Sequence, residues 1–188
     1  MVWLVLGIVL WSLVHAFPSL APAGRAELVA RLGEGPYKGL FALAAVAAVV
    51  VMVIGWRAAA PVPVYAPPAG GRELAGIVML VAFVLFPTAR LPSNIRRWVR
   101  HPQLTAVALW AAAHLIANGD SRSVLLFGAL GLWALIEMVL INRRDGAWQR
   151  PGPLPLAAEI KPLAAGVILF AVFLALHPYL FGVAPFGG

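Results

Sequence analysis

The run GLFALAAVAAVVVMVIGW, Gly39–Trp56, holds no charged and no strongly polar side chain. With its interfacial flanks it is long enough for the roughly 30 Å of hydrocarbon in a bilayer. It shows no alternation of polar and apolar residues, so it reads as a helix and not as a strand of an outer-membrane barrel. Five further runs have the same character: Val2–Phe17, Leu74–Phe86, Leu104–Ala117, Val124–Ile141 and Leu163–Leu176. The expected fold is all-α, a polytopic membrane bundle of about six transmembrane helices forming a single domain over residues 1–188.

Composition excludes the alternatives. Of 188 residues, 62% are hydrophobic and only 11% charged, where a soluble domain has roughly 45–50% and about 25%. The mean hydropathy is +0.92. A soluble globule built this way would expose apolar patches that it could not cover, and a disordered chain would lack this much apolar surface. The absence of cysteine rules out a disulfide scaffold, Cys-ligated zinc or iron–sulfur, and a thiol nucleophile. A pI near 11.1 suggests nucleic acid in a soluble protein. Here the fourteen Lys and Arg are loop charges that face anionic headgroups, and the lipid bilayer is the expected partner.

The runs are separated by breakers. Pro61, Pro63, Pro67 and Pro68 with Gly70-Gly71 divide the second from the third, and Pro151, Pro153 and Pro155 divide the fifth from the sixth. Asn118-Gly119-Asp120 predicts a tight turn and an antiparallel hairpin of the fourth and fifth. Eleven basic residues follow the odd-numbered runs (Arg25, Arg31, Lys38, Arg90, Arg96, Arg97, Arg100, Arg143, Arg144, Arg150, Lys161), and three lie on the other side (Arg57, Arg72, Arg122). The positive-inside rule then puts both termini, Gly188 included, away from the cytoplasm, on the periplasmic side. Ala21-Pro22-Ala23 resembles a signal-peptide cleavage site. No Lys or Arg precedes the first run, however, and Arg25 and Arg31 follow it, so the run is expected to stay as a span.

Ionisable groups at membrane depth are costly and mark candidate sites: His15, His101, His114, His177 and Glu137. His101-Pro102 reads as the entry of the fourth span and His177-Pro178 as the exit of the sixth, where both histidines serve as caps. His114 lies within its run on one face with Gln103, Val107, Trp110 and Asn118. His15 lies deep in the first run. Polar contact between helices explains either one, yet Trp11–His15 and Trp110–His114 share one spacing, an indole one turn from each imidazole. Two helical histidines beside flat aromatics suit a bis-imidazole haem, with rim arginines such as Arg100 meeting its propionates. Zinc is disfavoured for want of further ligands. Depth alone pairs His15 with His101 and His114 with His177. Glu137 is expected to snorkel or to pair with Arg96 or Arg100. The Ala42–Ala48 stretch is expected to serve close helix packing. No phosphate loop, dinucleotide fingerprint, nucleophile elbow or HExxH motif occurs.

Several segments together resemble one family. These are Leu13-Val14-His15, Arg31-Leu32-Gly33-Glu34 with Tyr37-Lys38-Gly39-Leu40-Phe41, Arg96 through Pro102, Trp110 through Asp120, Leu126-Phe127-Gly128 and Leu176-His177-Pro178. They look like the NnrU family of bacterial inner-membrane proteins, which is linked to nitrite and nitric oxide metabolism in denitrifiers. That family is also similar to zeta-carotene isomerase, a membrane haem b enzyme whose ligand histidines map onto His15 and His114. The isomerase has a cysteine where this chain has Ala111, so no thiol role carries over. A more distant likeness to isoprenylcysteine carboxyl methyltransferases rests on Arg100-His101-Pro102. Asn142-Arg143-Arg144-Asp145-Gly146 then leads straight into a Pro-rich loop, which makes methyl transfer doubtful.

The resemblance implies haem b on His15 and His114; the spacing read above adds Trp11 and Trp110 as its walls and Arg100 at its rim, with His101 and His177 as runners-up. It also implies a small apolar substrate or NO as ligand, isomerase-like chemistry among the options, and no nucleic acid. The rival expectation is a cofactor-free membrane accessory protein for denitrification gene expression or enzyme assembly. A transporter ranks third, since no inverted repeat supports it.

Overall fold

The computed structural model describes residues 1–186; the topological expectation for Gly188 falls outside them. Among the described residues there are seven α-helices: α1 (Val2–Leu20), α2 (Pro22–Leu32), α3 (Glu34–Ala58), α4 (Gly71–Thr88), α5 (Pro102–Ala117), α6 (Ser121–Asp145) and α7 (Ile160–Phe181). Two short 3₁₀ turns, Asn94–Arg97 and Leu156–Glu159, lie in the connections. Each of the six apolar runs falls on a helix.

Length and composition single out five of these helices as able to cross a membrane. The exception is α5. Its 16 residues rise about 24 Å, short of the hydrocarbon thickness. Residues 22–32, read from sequence as part of a connection, form α2 instead. Pro22 opens it, where the missing N–H costs nothing, and Gly33 at φ +85° ends it.

Packing orders the helices as α3–α1–α6–α5–α4–α7, with α2 lying on α1 and α3. Small residues allow the closest approaches. A Cβ on Gly55 of α3 would lie 2.1 Å from the Leu4 backbone nitrogen, and one on Gly166 of α7 would lie 2.5 Å from the Val84 Cα. Ala48, within the alanine stretch, is fully buried. Outward faces are apolar, as at Leu13, Leu43, Ile77, Leu132 and Ile168, all exposed. Such a surface is stable only against hydrocarbon.

The α5–α6 hairpin forms as its turn residues predict. Asp120 caps α6, accepting from the backbone N–H of Arg122 (3.0 Å) and Ser123 (3.2 Å). Asn118 Nδ2 donates to the His114 carbonyl at 2.9 Å. The Pro-rich connection between α3 and α4 lies across this corner. Val64 and Tyr65 donate backbone N–H groups to the Gly119 carbonyl at 2.8 and 3.1 Å, and the Tyr65 hydroxyl donates to the carbonyls of Leu115 and Asn118. A Cβ at residue 119 would lie 1.9 Å from the Tyr65 carbonyl oxygen, so the corner needs glycine.

The prolines behave differently at the two His-Pro pairs. Pro102 opens α5, as expected. Pro178 lies inside α7, which runs on to Phe181 and stops at Gly182, φ +72°. His177-Pro178 is therefore not the helix exit. Pro178 has no N–H to donate to the carbonyl four residues before it, so that turn lacks one backbone bond while the helix continues.

Candidate functional site

Both Trp-x-x-x-His pairs build the same local arrangement. His15 Nδ1 lies 2.9 Å from the Trp11 carbonyl oxygen, and His114 Nδ1 lies 2.8 Å from that of Trp110. A carbonyl only accepts, so Nδ1 carries the proton in each ring and Nε2 keeps its lone pair. A metal-ligating imidazole is held in this way by its second-shell bond. The Trp11 indole stacks on His15 at 4.0 Å, while Trp110 is tilted against His114 at 5.1 Å.

Helix α6 supplies the remaining walls. Trp133 meets the edge of His15 at 5.2 Å, and Phe127 stacks on His114 at 4.3 Å. Phe41 of α3 closes the His15 site at 5.1 Å. Phe127 and Trp133 are six residues apart on α6, a rise of about 9 Å. The two imidazoles thus occupy separate layers, and Trp11 and Trp110 both pack against the buried cluster of Leu4, Ile8, Met52 and Leu130. The donor chemistry fits a haem iron at either histidine taken singly.

The other predicted site residues go elsewhere. Arg100 donates through Nη2 to the Gly146 carbonyl at 2.8 Å, and His101 Nε2 lies 2.8 Å from Asn142 Oδ1. Both contacts pin the start of α5 to the end of α6. His177 Nδ1 lies 2.7 Å from the Val183 carbonyl oxygen, and its ring lies within electrostatic range of His114. Of the histidines that depth pairs, His101 is engaged with Asn142 and His177 with the Val183 carbonyl.

Glu137 is the main correction. It pairs with neither Arg96 nor Arg100. It is 6% exposed, and its Oε1 accepts from Ser19 Oγ at 2.9 Å. Arg144 Nη1 donates to the same Ser19 oxygen at 3.3 Å. The interior offers the carboxylate this short hydroxyl from α1, while Arg100 is held at Gly146. Glu137 lies within electrostatic range of His15, and its Oε2 is buried with no partner, as are the indole N–H groups of Trp11 and Trp133. Sequence reading missed Ser19 and Trp133, although Trp133-x-x-x-Glu137 repeats the Trp-x-x-x-His spacing and was legible there.

A family model described as NnrU protein matches residues 3–185. The chain belongs to the NnrU family. No curated protein and no solved structure matches it. In this NnrU-family chain, the segments that carried the resemblance divide by role. Arg100 through Pro102 and Asn118 through Asp120 hold helix ends together, while His15, Trp110, His114 and Phe127 build the two aromatic–imidazole sites.

Proposed function

We propose that this multi-pass membrane protein of the NnrU family binds haem b, with His15 and His114 presenting axial nitrogens, and serves nitrite or nitric oxide metabolism at a bacterial inner membrane. The observation that carries the reading is the repeated Trp–His unit, in which a backbone carbonyl fixes Nδ1 and leaves Nε2 as the free donor. Haem supplies a redox couple and an iron position for a small diatomic ligand such as nitric oxide. Trp11, Phe41, Trp133, Trp110 and Phe127 exclude water from the two imidazoles and fix their planes. His15 and His114 would hold the iron through their free Nε2 atoms. An isomerase-like reaction on an apolar polyene belongs to the same proposal.

The test is a pyridine haemochrome assay with a reduced-minus-oxidised spectrum on full-length protein, purified in detergent after expression with haem supplied. Stoichiometric haem that is lost in His15→Ala or His114→Ala and kept in His101→Ala supports the reading. Absence of haem overturns it. Loss in His177→Ala but not in His15→Ala moves the ligand pair to His114 and His177. One observation favours the cofactor-free accessory reading: aromatic rings already cover the imidazole faces, and Arg100 is engaged by Gly146.

A further inference from the structure

At the end of the bundle where α1 meets α2, a cleft of about 410 Å³ is lined by Arg25 and Arg144 together with Pro18 and Pro22. It adjoins a second of about 340 Å³, which shares Pro18 and Arg25 and adds Tyr37, Lys38 and Phe41. The charges here are unequal in availability. Lys38 is paired with Glu34 at 2.7 Å, and Arg144 with Asp145 at 2.7 Å. Arg25 forms no ion pair among the described residues. Its guanidinium lies 5.5 Å from the Tyr37 ring, and Glu34, within its electrostatic range, is held by Lys38.

A second observation points to a ligand independently of charge. Tyr37 is only 8% exposed, and its hydroxyl is buried with no hydrogen-bond partner. Buried hydroxyls are normally satisfied, and an orphan on a residue that lines the cleft calls for a partner that the chain does not provide. The floor is apolar, formed by Pro18 and Phe41, and Phe41 abuts the His15 ring. A cation, an unsatisfied hydroxyl and an apolar floor side by side match a molecule with an anionic head and a hydrocarbon body.

We propose that this cleft binds one phosphate-bearing amphiphile, its phosphate held by Arg25 and the Tyr37 hydroxyl and its apolar body lying on Pro18 and Phe41. The site is independent of haem. Two sources share this chemistry, the headgroup of an anionic phospholipid and a free organic phosphate.

Native mass spectrometry of the full chain in uncharged detergent tests the site, with phosphatidylglycerol, phosphatidylcholine or phenyl phosphate added separately. The expected result is one phosphatidylglycerol retained per chain in preference to phosphatidylcholine. Retention should fall about tenfold in Arg25→Gln and severalfold in Tyr37→Phe, on the scale of a lost charge-assisted hydrogen bond. Arg57→Gln, at the opposite end of α3, should leave it unchanged. Binding of phenyl phosphate with the same dependence on Arg25, and without phosphatidylglycerol preference, assigns the site to a free phosphate. Equal retention of both lipids with no phenyl phosphate bound, or retention unchanged in both Arg25→Gln and Tyr37→Phe, overturns the proposal. Circular dichroism confirms that each variant keeps its helices. Tyr37→Phe removes only the hydroxyl, so its result reads the site and not the packing.

Discussion

Ser19 of α1 donates its hydroxyl to the buried carboxylate of Glu137 on α6, 118 residues away in sequence, at 2.9 Å. This contact ties α1 to α6 and couples the buried acid through Ser19 to Arg144 at the bundle end.

Removing the donor should therefore cost stability. Ser19→Ala leaves Glu137 with neither oxygen satisfied, and the expected loss is about 1–3 kcal/mol. In Glu137→Gln the amide oxygen still accepts from Ser19, so this variant should cost less. The double variant Ser19→Ala with Glu137→Ala should be less destabilised than the sum of those two singles, as read in a thermal-unfolding cycle in detergent. Additive losses in this cycle with Glu137→Ala, which removes the acceptor, would show that the two side chains do not interact.

Gly55→Val tests the α1–α3 approach. The new side chain would meet the Leu4 backbone head-on, and α1 would have to move away. Overpacking of this kind costs about 1–3 kcal/mol or more. Gly128→Ala is the matched control, since a Cβ there meets nothing within 4 Å. Equal melting temperatures for the two variants would contradict the close crossing.

Asp120 links stability to pH. Burial opposes its ionisation, but hydrogen bonds from the Ser123 side chain and backbone and from the Arg122 backbone, with the Arg122 charge, outweigh that effect and hold its pKa below the usual carboxylate value. A depressed folded pKa stabilises above the unfolded value, and that contribution fades as pH falls through the folded one. Asp120→Ala should cost about 1 kcal/mol at neutral pH through loss of the cap. The difference from the parent should shrink in acid. A difference that does not change from neutral pH to strongly acid conditions would refute the ionised cap.

Topology can be mapped by single cysteines, because the chain has none of its own. Ala66→Cys and Trp98→Cys lie on either side of α4, and both positions are exposed. With the basic connections facing the cytoplasm, an impermeant thiol reagent added to intact cells should label Ala66→Cys and spare Trp98→Cys. Alkaline phosphatase fused after Gly188 should be active and GFP there dark. The opposite labelling, or a bright GFP, would reverse the orientation.

Much of this architecture is local and was legible in the residues. Uninterrupted apolarity locates six helices, and Asn118-Gly119-Asp120 marks a corner because each residue has a local duty: capping α5, admitting the Tyr65 carbonyl, capping α6. The Trp–His spacing predicts an indole one turn from each imidazole, since four residues make about one turn. The role of Pro178 was not legible. Proline after histidine reads as a stop, and only the continuing last turn of α7 shows otherwise.

What the sequence by itself determined is therefore where the helices run, which residues end most of them, and which histidines and glutamate lie on those apolar helices or at their ends. What only the tertiary structure decided is which faces meet. Helices apolar on all sides carry little sign of which stripe packs inward, because lipid and protein neighbours are equally apolar. The meeting of Trp133 with His15, of Phe127 with His114 and of Glu137 with Ser19 is set by α1 and α5 flanking α6. The same arrangement places the two imidazoles in separate layers, since their depths follow from opposite helix directions and not from the shared spacing.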